Sequence, residues 1–144
     1  MRTRQSLVVV MLGALLVVGC NAAAAPEATP HGEEPAHVEP IAGNPDVKLV
    51  KLTPRAAERL GIQTVAVAEV DGKLVVPHGA IFWDAEGTPW VYVEEEPLGY
   101  VRHELSIESI EDKDAVLTAG PPAGATVVSV GTAELIGTEF EVGH

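Results

Sequence analysis

A chain of 144 residues can fold one modest domain, and 21 Asp and Glu against 9 Lys and Arg leave it with a formal charge of −12. A surface this acidic repels phosphate backbones and anionic headgroups, which excludes nucleic-acid binding. The single Cys excludes an internal disulfide, so stability has to come from the apolar core.

The chain opens with Arg2 and Arg4 ahead of the apolar run Leu7–Val18, the length of a signal-peptide core and short for a membrane span. Val17-Val18-Gly19-Cys20 closes that run with a small residue immediately before a thiol. This is the pattern of a bacterial lipoprotein signal: residues 1–19 are expected to be removed and Cys20 to carry the lipid, which tethers the protein to a membrane surface of the cell envelope. Asn21 leaves open which membrane that is. Loss of Arg2 and Arg4 with the leader makes the mature chain more acidic still, with seven cations against 21 carboxylates.

Residues 20–46 are Ala, Pro, Glu, Gly and His with few bulky apolar groups. Such a segment buries too little surface to offset its conformational entropy, so it is expected to be a disordered acidic linker. His31 and His37 lie within it beside Glu33, Glu34 and Glu39, and imidazole with carboxylate can ligate divalent ions. Without fixed geometry they read chiefly as solvated linker, and a metal-buffering role is the competing expectation.

The folded domain is expected over 47–137, with a flexible tail over 138–144. Asp46–Leu52 alternates as a strand. Thr53 and Pro54 then open a short helix that Gly61 closes, with Ala57 and Leu60 to pack on a sheet. Ile62–Val70 reads as one strand, and Asp71-Gly72 as a two-residue hairpin turn. The stretch Leu74–Val93 is expected to form a kinked hairpin. One arm runs through Pro77 to Trp83, the other covers Pro89–Val93, and Asp84-Ala85-Glu86-Gly87 joins them. Glu94–Gly99 reads as a charged turn, and Tyr100–Ile107 as one strand with Val101, His103, Leu105 and Ile107 on a common face. Ala115–Thr118 and Ala125–Val130 are further strands, and Thr132–Ile136 a last turn or strand. The whole reads as mainly β, a small barrel or sandwich with one short helix.

Chemistry-bearing motifs are sparse. The chain has no Gly-x-Ser-x-Gly, no phosphate-cradling loop with Lys and no His-Glu-x-x-His, and its acidic runs fall in turns, so neither an enzyme nor a cofactor is expected. His78 stands out for its place at the kink. Trp83 and Trp90 read as core or rim packing, although an exposed Trp is a natural docking anchor. His103 reads as a rim histidine satisfied by a neighbour.

Three blocks together carry a resemblance: Leu52–Thr64, then Val75–Ile81 with Asp84, Gly87 and Trp90–Val93, then Ala119–Leu135. They resemble the periplasmic adaptor subunits of tripartite efflux systems, the membrane fusion proteins related to the haemolysin-D adaptor and the heavy-metal efflux adaptors. The resemblance implies a membrane-proximal β-barrel domain that docks on an efflux transporter of the resistance-nodulation or heavy-metal type. It departs from the family in one respect: only Val65–Leu74 separates the first two blocks, leaving no room for the lipoyl-type halves or the helical hairpin, so the tunnel-forming role does not carry over.

Overall fold

A computed structural model describes residues 34–141. The expected signal peptide of residues 1–19, Cys20, His31, most of the expected linker and the last three residues lie outside that range. Eleven strands and two helices follow one another within it. The first hairpin is β1 (Ala36–Ile41) and β2 (Asn44–Leu52), and α1 (Pro54–Leu60) comes next. β3 (Gln63–Ala66), β4 (Ala68–Val70) and β5 (Lys73–Pro77) lead to a 3-10 turn at His78–Ala80 and the short β6 (Phe82–Trp83). β7 (Pro89–Glu96), β8 (Gly99–Glu104), β9 (Ser106–Glu111), β10 (Asp114–Ala119), β11 (Thr126–Val130) and α2 (Thr132–Glu139) complete the domain.

The strands form two sheets. Seven build one in the order β1-β2-β8-β7-β11-β3, with β6 also on β7, and four build the other in the order β4-β5-β10-β9. The mainly-β expectation therefore holds. Each strand order is an open path, so ladder hydrogen bonds do not close the sheets into a barrel.

Two cores result from alternation along the central strands. Val91, Val93 and Val127 point to one side and pack with Val76, Ala115 and Leu117 of the four-stranded sheet. Tyr92, Tyr100, Val50 and Val128 point to the other and pack beneath Ala56 and Ala57 of α1 and Leu135 of α2. The unbroken runs Trp90–Val93 and Val127-Val128 follow from this: strand segments covered on both faces have no polar side to show.

Local signals behave as chemistry requires. Thr53 Oγ1 accepts from Ala56 N at 3.2 Å, and Gly61 takes the left-handed conformation that ends α1. Asp71 and Gly72 both have positive φ, at 52° and 78°, matching the twist of the β4–β5 hairpin they join. Asp84 Oδ1 accepts from Glu86 N and Thr88 N, so Asp84–Gly87 is a turn held by its own side chain.

Several expectations are corrected. The expected linker over 20–46 is not linker throughout, because β1 and the start of β2 lie inside it. As an edge strand, β1 needs little apolar surface; the β2 ladder and the bond from Thr53 N to Pro35 O, 3.0 Å, hold it. The expected tail over 138–144 begins too early, because α2 runs through Thr138 and Glu139 and buries Glu139 completely. Leu135, Ile136, Glu139 and Phe140 share one helical face, and a charged residue at the third of these positions hides that period from a hydropathy reading.

Three expected single strands are also broken. Ile62–Val70 divides at Val67, Tyr100–Ile107 divides at Leu105, and the arm through Pro77 to Trp83 is interrupted by the 3-10 turn. In each case the chain leaves one sheet for the other, and Val67 and Leu105 are buried at the corners, 2% and 3% exposed. The charged turn is shorter than expected, because β7 continues to Glu96 across a register shift.

Candidate functional site, an aromatic and acidic cleft

β2 pairs with β8 only over Leu49–Lys51, and its first residues are laddered to β1 but not to β8. There the two strands are bridged by Arg102, whose Nη2 donates to the Asp46 carbonyl oxygen. Arg102 points to the helix side of the sheet because it lies opposite Tyr92 in the β7–β8 register, while Trp90 lies opposite Glu104 and Phe82. The guanidinium carbon sits 4.6 Å from the centre of the Trp90 ring and 5.0 Å from that of Phe140, a cation held between two aromatic faces.

Beneath it lies Glu139. Its Oε1 is 3.0 Å from Arg102 Nε, an ion pair without hydrogen-bond alignment, and its Oε2 accepts from Tyr92 Oη at 2.6 Å. Lys48 Nζ donates to the Glu139 carbonyl oxygen at 3.1 Å. A fully buried carboxylate persists only with such compensation. Burial, with the Glu139 carboxylate accepting the bond, raises the Tyr92 phenol well above its ordinary value, so it stays a donor. The end of α2 is thereby pinned to the centre of the sheet.

Above this floor opens a cleft of about 750 Å³. Trp83 and Phe140, each 47% exposed, form its apolar sides together with the half-buried Trp90. The Trp90 indole donates to Asp84 Oδ2 at 2.8 Å, and this bond, helped by those from Thr88 and Glu86, lowers the Asp84 pKa. Asp46, Glu86 and Glu104 stand exposed at the mouth.

Of the residues singled out in the sequence, Trp83 and Trp90 both line this cleft, from alternate positions of the β6–β7 ladder, where Phe82 pairs with Trp90 and Trp83 with Pro89. His78 does not line it: its ring packs edge-on against Trp83 with centroids 5.9 Å apart, and its backbone N–H bonds the Lys113 carbonyl. His37 lies exposed in β1, 3.4 Å from Glu39. Among the described residues no group of three or more His, Cys, Asp or Glu gathers as metal ligands. His103 is satisfied by Glu95 at 2.7 Å, as a rim histidine should be.

Sequence reasoning missed Tyr92, Arg102 and Glu139. A signal for one of them was present: Arg102 alternates in step with Tyr100 against Val101 and His103, and an aromatic on the supposedly polar face marks that face as covered. Glu139 carried no such sign.

Fold and site together define a mainly-β, two-sheet domain with an aromatic cleft under an acidic rim. No protein-family model, no curated protein and no solved structure matches the chain.

Proposed function

We propose that this is a non-enzymatic, lipid-anchored protein of the cell envelope that docks on a transmembrane efflux transporter, as a reduced relative of the periplasmic adaptors. The lipoprotein signal ending at Cys20 and the three adaptor-like blocks support it. On this reading the two sheets correspond to the family's membrane-proximal barrel, opened along its edges, and the domain faces the periplasm or exterior.

The observation that carries the proposal is Trp83. A large aromatic side chain left 47% exposed beside Trp90 and Phe140 is the kind of surface that becomes an interface anchor once a partner excludes water from it. A photo-crosslinking residue placed at Trp83, in the full chain and in native membranes, is expected to capture a multispanning transporter. Capture of lipid alone, or the same products from a residue placed at Glu69 in β4, would count decisively against it.

The competing reading is a metal-buffering lipoprotein built on His31 and His37. It requires stoichiometric zinc or copper binding that disappears in the His31→Ala, His37→Ala double variant.

A further inference from the structure

The cleft has a sided charge pattern. Its one lining cation among the described residues, Arg102, is neutralised from below by buried Glu139. Asp84 is occupied by Trp90 and two backbone N–H groups. Asp46, Glu86 and Glu104 are exposed, and among the described residues none of their carboxylates takes part in an ion pair. Elsewhere Lys51 is taken up by Glu96 and Lys73 by Glu108. The mouth therefore carries three uncompensated negative charges over walls of Trp83 and Phe140.

Aromatic faces attract a guanidinium or ammonium, and carboxylates bond it, while the stem of an Arg or Lys lies well on apolar rings. A metal ion fits poorly, since the three acids come from β2, the β6–β7 turn and β8 and do not converge as ligands. A volume of about 750 Å³ also exceeds what one small cation fills. We propose that the cleft receives an extended polypeptide segment of the partner, with an arginine or lysine held by Glu86 and Glu104 and flanking apolar side chains on Trp83 and Phe140. This rests on the docking reading above and names the chemistry of the partner's surface.

The test titrates the full-length protein with a blocked heptapeptide, Gly-Leu-Arg-Pro-Leu-Arg-Gly, with the same peptide carrying Glu for Arg, and with argininamide, following the indole N–H resonances of Trp83 and Trp90. The Arg peptide is expected to shift Trp83. The Glu86→Gln, Glu104→Gln double variant should weaken it about tenfold, as should a rise in salt, because rim charges act in water. The Glu58→Gln, Glu69→Gln variant removes the same charge away from the cleft and should bind as the unaltered protein does. Equal binding of the Glu peptide, equal weakening by the distant pair, or saturation by argininamide at the same concentration would overturn the proposal. The crosslink from Trp83 separates the two ideas: a transporter crosslink indifferent to Glu86→Gln, Glu104→Gln keeps docking and refutes the basic segment. Peptide binding without a transporter crosslink does the reverse.

Discussion

At the residue scale, the domain turns on one buried charge pair. Arg102 is 9% exposed and Glu139 fully buried, so each depends on the other. Replacing Arg102 alone with Met leaves the Glu139 carboxylate with Tyr92 as its only side-chain donor among the described residues, and should cost about 3–5 kcal/mol in urea unfolding. Joining it to Glu139→Leu removes both charges and should recover most of that loss, since well-packed apolar replacements of buried pairs are often neutral. Asp84 makes a different prediction. Its pKa falls below 3.8 on folding, so its stabilising contribution is complete above 3.8 and disappears as pH drops through the lower folded value. The Asp84→Asn variant should lack that acid-side slope, and the emission of Trp90, which loses a charged acceptor, should become insensitive to pH there. The sequence showed the Asp84 turn plainly but gave no hint that its second oxygen reaches Trp90, because that bond needs β6 and β7 already paired.

At the element scale, the corners matter more than the strands they join. Val67 and Leu105 fall between strands of different sheets, and the Leu105 N–H bonds the Pro89 carbonyl at 2.9 Å as the chain crosses. A Cβ on Gly120 would come within 2.9 Å of Leu105, so Leu105 is packed against backbone with no slack. Leu105→Ala should therefore destabilise by about 2–5 kcal/mol, measured by thermal or urea unfolding, whereas Ile110→Ala on exposed β9 should change little. These corners were invisible in the sequence because Ile62–Val70 and Tyr100–Ile107 alternate smoothly across them. Period-2 patterning reports which face is apolar, and both faces of a corner residue belong to the same inter-sheet core. Helix α1 was legible for the opposite reason: Thr53, Pro54 and Gly61 act within a few residues of one another.

At the scale of the whole molecule, burial is concentrated in the middle of the seven-stranded sheet. β7 has β8 on one side and β11 on the other, with a core on each face, while β3 and β4 are exposed along their length at sheet edges. Amide exchange should be slowest at Val91–Val93 and fast through β3 and β4. Protection in β4 equal to that in β7 would mean that the edges are covered in solution. The acidic cleft lies where β2 is no longer laddered to β8.

What the amino-acid order determined alone was local: the turns at Asp71-Gly72 and Asp84–Gly87, the capped helix, the mainly-β character and two tryptophans flanking one hairpin turn. Those outcomes depend on backbone preferences and on neighbours a few positions away. Only the tertiary structure decided that Arg102 faces inward and that Glu139, 47 residues beyond Tyr92, becomes its buried partner. Whether a charge is solvated or paired depends on which strand lies beside it and which helix lies above, and the order of strands in the sheet is not written in the periodicity of any one of them.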